Sequence, residues 1–304
     1  MPRSFNMRPM QAFTGTYTAI VTPFRNGKLD EDAFARLIEL QIRGGVEGIV
    51  PVGTTGESPT LSFDEHLYVI ELAVKCSARK IKVIAGTGGN STSEAIYLTR
   101  EAEKVGADAS LQVTPYYNKP TQEGLFRHFE AVARSTKLPI ILYNIPGRCG
   151  VEIAIDTVER LAKSVRNIVG IKEAGGNPDR VSQLRARLGP RFVILSGDDS
   201  LTLPFMSVGA QGVISVASNV IPGQVTDMVR AYLSGKPDVA LKLHLKYFQF
   251  FKDLFIETNP GPVKAALAMQ GLIQEELRLP LAPLSAANRQ RLKATMKACG
   301  IKCD

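Results

Sequence analysis

The apolar run Ile168-Val169-Gly170-Ile171 ends in Lys172 and Glu173. Most lysines lie in water, and burying one is costly unless its charge is paired or lost. At an unperturbed pKa of about 10.4 the amine is protonated at neutral pH. Apolar surroundings and neighbouring cations lower that value and make a nucleophile able to form a Schiff base with a carbonyl. The alternative for Lys172 is a structural ion pair with a carboxylate such as Glu173 or Glu57. Tyr143, at the end of another apolar run, either relays protons to and from imine carbons or fills the space beside it. Thr54 and Thr55, set between Gly53 and Gly56, offer hydroxyls and amides suited to a carboxylate, or simply turn the chain. Arg148, in a Pro146-Gly147 loop, suits a bidentate clamp on a carboxylate, with a surface arginine as the alternative. Ser196, Asp198 and Asp199 read as caps of the following helix in preference to metal ligands. His66, His128 and His244 are the only histidines, and none stands at an expected strand end. That inventory is poor for a metal-dependent aldolase, so no metal is expected, and Schiff-base chemistry on a lysine needs no organic cofactor.

These residues need a frame that brings strand ends together. Runs rich in Val, Ile and Leu occur at Thr16–Val21, Gly48–Val52, Ile81–Ala85, Ala109–Val113, Ile140–Tyr143, Ile168–Ile171, Phe192–Leu195 and Gly212–Val216. Their spacing, roughly 20 to 35 residues, leaves one crossover helix between successive parallel strands. Continuous apolar strands suit a sheet covered on both faces. Asp30 caps a segment with Phe34, Leu37, Ile38 and Gln41 on one face, closed by Gly44-Gly45, and Ser62–Glu65 and Ser91–Glu94 both match the capping box. Eight such repeats favour an α/β fold of the (β/α)8 TIM-barrel type, in which chemistry sits where strands end. Gly86-Thr87-Gly88-Gly89 follows a strand, but Ser91 replaces the last glycine of a dinucleotide fingerprint. Beyond Val216 the pattern turns helical, at Pro222–Ser234, Asp238–Phe255, Pro262–Gln274 and Ala286–Ala298. The expected organisation is an N-terminal arm over 1–12, a catalytic barrel over 13–232 and a small C-terminal helical domain over 233–304.

Composition narrows the partners. Lys+Arg total 37 against 29 Asp+Glu, a formal charge of +8, but the basic residues are interspersed with acids, so a solvated basic surface is expected in place of a nucleic-acid site. No run approaches the roughly 18 apolar residues of a membrane span. The four cysteines are few and scattered, which fits reduced thiols and a cytoplasmic protein.

Five motifs then stand in order: Gly53-Thr-Thr-Gly-Glu57, Thr114-Pro-Tyr-Tyr-Asn118, Tyr143-Asn-Ile-Pro-Gly-Arg148, Gly170-Ile-Lys-Glu173 and Ser196-Gly-Asp-Asp199. With them, and with Asn259-Pro-Gly-Pro-Val-Lys264, the chain resembles the 4-hydroxy-tetrahydrodipicolinate synthase (dihydrodipicolinate synthase) family over nearly everything after the arm. The resemblance implies a lyase of diaminopimelate and lysine biosynthesis that condenses pyruvate with L-aspartate 4-semialdehyde. It makes Lys172 the Schiff-base lysine, and Thr55, Tyr143 and Tyr117 a proton relay. Thr54 then holds the pyruvate carboxylate, Arg148 holds the semialdehyde carboxylate, and Gly197 and Ile214 line the pyruvate pocket. It places Tyr117 in the site of an adjacent subunit, hence a homodimer at least and commonly a dimer of dimers (a homotetramer). Ser58, His66, Asn90, Glu94 and Tyr116 match the family's lysine effector site, with departures at Pro59 and Phe63. The same lysine, tyrosine and glycine loop also occur in N-acetylneuraminate lyase and 2-keto-3-deoxy sugar acid aldolases, the main rival reading. A non-catalytic pyruvate- or lysine-binding regulator is the rival from another class.

Overall fold

The computed structural model describes residues 13–303; the expected arm over 1–12 lies outside them. In chain order the first half contains β1 (Gly15–Thr18), the hairpin β2 (Phe24–Arg25) and β3 (Lys28–Leu29), α1 (Glu31–Arg43), β4 (Gly48–Ile49), α2 (Phe63–Ser77), β5 (Lys82–Gly86), α3 (Thr92–Lys104), β6 (Ala109–Val113) and α4 (Gln122–Arg134). There follow β7 (Ile140–Asn144), α5 (Pro146–Cys149), α6 (Ile155–Ser164), β8 (Ile168–Glu173), α7 (Pro178–Leu188), β9 (Val193–Ser196), α8 (Thr202–Ser207) and β10 (Gly212–Ser215). The chain ends in α9 (Pro222–Leu233), α10 (Pro237–Asp253), α11 (Gly261–Met269) and α12 (Ala286–Ala298). Strands β1, β4, β5, β6, β7, β8, β9 and β10 close in that order into a parallel barrel, and β10 returns to β1. Closure brings two backbones into contact: a Cβ on Gly212 would lie 1.9 Å from the carbonyl oxygen of Gly15. Only glycine fits there.

Each apolar run of the sequence holds a barrel strand, and two-residue alternation sorts its side chains. On β7, Ile140 and Leu142 join the core under the helices, while Ile141 and Tyr143 point into the barrel among Tyr17, Val50 and Leu195. Helix α1 buries the expected face, with the Asp30 carboxylate accepting from Ala33 N at 3.0 Å. Ser62 and Glu65 form the expected capping box on α2. The second box is not formed. Ser91 makes no side-chain cap, its hydroxyl pairing with Ser93 at 3.1 Å, and Glu94 is left exposed.

Three departures have local causes. β4 stops at Ile49, short of the expected Val52, because Pro51 has no N–H to donate and Val52 adopts φ +51°, outside the strand region. The hairpin of β2 and β3 has two residues per strand, too few for any periodicity to announce it. α11 ends at Met269, where Gly271 at φ +69° turns the chain out of the helix.

The helices after the barrel reach back over its open end. Lys264 of α11 and Glu57, both buried from solvent, form an ion pair, and Glu57 also accepts from Arg278 N at 3.1 Å. The two cations lie over the same Phe24 ring, Lys264 Nζ at 4.3 Å and the Arg278 guanidinium at 4.2 Å from its centroid. This junction fixes the last residue of the Gly53–Glu57 loop to a helix more than two hundred residues away in sequence. Replacing Lys264 by Met strands a carboxylate without its countercharge and should cost about 3–5 kcal/mol. Adding Glu57→Gln should recover most of that loss, read as the shift in chemical denaturation midpoint between the single and double variants.

Candidate active site

Lys172 and Tyr143 are register partners on neighbouring strands, so their side chains leave the sheet on the same, inward face. The amine lies 4.2 Å from the tyrosine ring centroid. An irregularity in the ladder produces this pairing: Ile140 pairs with Ile168 but Ile141 with Gly170, leaving Val169 as an extra residue on β8. Without it Tyr143 would face Ile171, and Lys172 would turn to the outside. Glu173, next along, does face outward. It accepts from Asn144 Nδ2 at 2.9 Å, Gly175 N at 2.8 Å and Arg180 Nε at 3.2 Å. With Glu57 bound to Lys264, neither carboxylate raised as an ion-pair partner for Lys172 is its partner.

The Lys172 side chain is 6% exposed. Its pKa is lowered to about 7, chiefly by burial and in smaller part by the Arg148 charge, with Asp199 opposing both. Asp199 is itself pushed up to about 6 by burial. It does not cap the helix that follows it in sequence: it accepts from the Ser215 hydroxyl, Val216 N at 3.0 Å and Ala217 N at 2.9 Å, fixing the turn after β10. Asp198 organises the turn before α8, accepting from Ser200 N at 2.7 Å and Leu201 N at 3.2 Å. Burial pushes the Tyr143 phenol up to about 12, with a Thr54 hydrogen bond and Arg148 pulling the other way.

The two threonines divide their work differently from the expectation. Thr54, not Thr55, bonds Tyr143. The Thr55 hydroxyl accepts from Asn259 Nδ2 at 3.0 Å. A deep cavity of about 40 Å3 is lined by Thr55, Lys172, Gly197 and Asn259, among others, and an outer one of about 200 Å3 by Ser58, Tyr116 and Cys149. Gly53, Thr54, Leu111, Tyr143, Ile145 and Arg148 line both and join them. Gly197 is required by space, since a Cβ there would lie 2.6 Å from that of Ala174 and 3.0 Å from Lys172 Cε. Ile214 lines neither cavity. It is packed in the barrel interior, and Val216, two residues on, takes the lining position. Arg148 lies exposed on α5 and donates to the Asn259 carbonyl at 3.3 Å.

Tyr117 does not reach this site within the chain: it is 90% exposed and holds φ +70°. Phe63, Tyr97 and Tyr116 are also left exposed, on α2, α3 and the loop after β6. Of the expected effector residues, Ser58 and Tyr116 line the outer cavity, and burial beside Glu94 raises the Tyr116 phenol. The Asn90 carbonyl accepts from Asn118 Nδ2 at 2.8 Å. His66 turns inward, its Nε2 2.8 Å from the Gly86 carbonyl, and burial lowers its pKa. A larger, shallow cleft of about 710 Å3 lies between α1 and the C-terminal segment, lined by Leu40, Val220, Met269 and Ile301, away from Lys172. Sequence reasoning assigned no role to Asn259 or Cys149. The first belongs to the helical part beyond the barrel, and the second follows Arg148 on a four-residue helix. No local pattern could have placed either.

Comparisons with known proteins identify the family and the fold. The Dihydrodipicolinate synthetase family matches residues 12–299. A 4-hydroxy-tetrahydrodipicolinate synthase of Sulfurihydrogenibium is 54% identical over 94% of this chain and 98% of its own length. The solved structure of the Methylacidiphilum fumariolicum 4-hydroxy-tetrahydrodipicolinate synthase superposes with a TM-score of 0.94 at 61% identity, covering 95% of this chain and 97% of that one. Aquifex aeolicus dihydrodipicolinate synthase gives a TM-score of 0.95 at 51% identity, covering 96% of this chain and all of its own.

A lysine lowered to about 7 is mostly neutral above that pH and mostly charged below it. Acetylation of Lys172 by acetic anhydride, read by peptide mass spectrometry, should therefore rise with pH and level off above about 7. Arg148→Ala removes a repelling cation and should move the midpoint up; Asp199→Asn removes an anion and should move it down. A midpoint near the ordinary lysine value in the unaltered protein would contradict this account of the site.

Proposed function

The chain belongs to the dihydrodipicolinate synthetase family, and we infer from that membership that it condenses pyruvate with L-aspartate 4-semialdehyde to 4-hydroxy-tetrahydrodipicolinate, a step of diaminopimelate and lysine synthesis. The observation that carries the mechanism is a buried amine of lowered basicity touching a buried phenol at the mouth of a barrel. Lys172 adds to C2 of pyruvate; water leaves and an iminium forms. The positive nitrogen makes the pyruvate methyl acidic, and loss of a proton yields an enamine whose C3 attacks the aldehyde carbon. The substrate amine then closes on C2 and releases Lys172.

At about 12 the Tyr143 phenol stays protonated near neutrality, so it serves as a donor and relay and not as a free base. Its bond to Thr54 supports Thr54, Tyr143 and a partner subunit's tyrosine at position 117 as the relay. Thr55 and the loop amides are left to hold the pyruvate carboxylate, and Arg148, exposed above them, to hold that of the semialdehyde. An exposed tyrosine in left-handed backbone is an unfavourable arrangement for a monomer, which supports insertion of Tyr117 into a second copy. The assembly proposed is a dimer of dimers. The four cysteines are all free thiols, which supports a reducing compartment, the cytoplasm. Among the described residues no helix is long and apolar enough to cross a membrane. Ser58 and Tyr116 at the outer cavity, with Glu94 beside Tyr116, support an L-lysine effector site that also takes in Asn90 and His66, tested by titrating the assay with L-lysine; no effect at millimolar concentration would dismiss it.

With pyruvate, L-aspartate 4-semialdehyde and a coupling reductase, the protein should turn over, and Lys172→Ala should lose at least about a thousandfold in kcat while keeping its denaturation midpoint. Lys172→Ala and Tyr117→Phe should each be inactive alone yet regain activity when refolded together, since a mixed dimer rebuilds one complete site. Failure of that complementation, with mixed dimers present, would place Tyr117 outside the shared site.

A further inference from the structure

The Asn259 side chain divides between two tasks, of which one is visible. It is 5% exposed, its Nδ2 donates to Thr55 Oγ1 at 3.0 Å, and its backbone carbonyl accepts from Arg148. Its Oδ1 is buried and meets no donor among the described residues, although Asn259 lines the same deep cavity as Lys172. A buried amide carbonyl left without a donor is a standing cost to the fold, and such a group in a reaction cavity is completed by what binds there. Pyruvate, an oxo-acid anion, has no donor to offer. The semialdehyde has one, its α-amino group.

We propose that Asn259 Oδ1 accepts an N–H of the α-amino group of the aldehyde substrate and aims that nitrogen at the carbon held by Lys172. This rests on the condensation described above and names the group that sets its second substrate. Arg148 and Asn259, already joined by a hydrogen bond, then read the two ends of one amino acid, the carboxylate by the guanidinium and the amine by the amide. The contact matters most at ring closure. The substrate nitrogen bonds to C2, a proton passes from that nitrogen to Nζ, and the C2–Nζ bond breaks to return Lys172 as the neutral amine. An acceptor on one N–H leaves the nitrogen lone pair directed away from Asn259, toward C2.

The experiment compares L-aspartate 4-semialdehyde with succinate semialdehyde, which lacks only the amine, in the unaltered protein, Asn259→Ala and Asn259→Asp. Trapping of pyruvate on Lys172 by borohydride should proceed in all three. With the amino substrate Asn259→Ala should lose on the order of 10- to 100-fold in kcat/KM, while Asn259→Asp, which keeps an acceptor, should lose far less. With succinate semialdehyde, followed as the reduced lysine-bound adduct by mass spectrometry, the loss in Asn259→Ala should be at least about tenfold smaller than with the amino substrate. Equal losses on both aldehydes, or loss of pyruvate trapping in Asn259→Ala alone, would overturn the proposal and leave Asn259 as a support for Thr55. Should Asn259→Ala fold poorly, Asn259→Ser, whose hydroxyl can still serve Thr55, answers the same comparison. Absence of trapping in the unaltered protein would instead strike the Schiff-base reading itself.

Discussion

Taking the Lys172 amine out of water is the constraint around which the upper half of this barrel is arranged. Water would hold that nitrogen charged and inert. The barrel leaves it only a small cavity and sets neither neighbouring glutamate against it, because Glu173 is turned outward to Arg180 and Glu57 is committed to Lys264. Asp199, held by three donors at the end of β10, exerts an attraction that keeps the basicity from falling further. The result is an amine that changes charge near neutral pH, the condition under which it can both attack a carbonyl and leave again.

Keeping water and carboxylates away demands rigidity from the loop opposite. Residues 52–57 contain two non-glycine residues in left-handed backbone, Val52 at φ +51° and Glu57 at φ +55°. For a β-branched residue such as Val52 that conformation is a true outlier. The strain is held by contacts from outside the loop: the Thr22 hydroxyl donates to the Gly56 carbonyl at 2.7 Å, Asn259 holds Thr55, and Lys264 and Arg278 hold Glu57. The helical part after the barrel is therefore a component of the catalytic apparatus as well as an appendage. It closes the side of the cavity that eight strands and their loops leave open.

Much of this was legible in the residues. The eight apolar runs carry the barrel because a strand covered on both faces must be apolar throughout, and that requirement writes itself into contiguous sequence. Lys172 stood out because a charged residue directly behind such a run has few bland explanations. The capping box at Ser62 was read correctly and the one at Ser91 was not, although the two look alike. A cap depends on whether the side chain finds a better local partner, and Ser93 provides one. Asp199 was misread for a related reason: a carboxylate near a helix start serves as a cap only if nothing stronger, here the turn after β10, competes for it.

The sequence by itself determined the strand order, the strand that ends in the lysine, and the family to which the chain belongs, since these depend on residue type along a continuous stretch. Tertiary structure alone decided who touches whom. One extra residue at Val169 brings Lys172, and not Ile171, opposite Tyr143. Thr54 reaches the phenol while Thr55 reaches Asn259, two hundred residues on. Contacts across a sheet alternate with every single residue of register, and contacts between barrel and helices span most of the chain. Neither quantity is written in any local window, so only the closed barrel, with its helices packed over the mouth, could supply them.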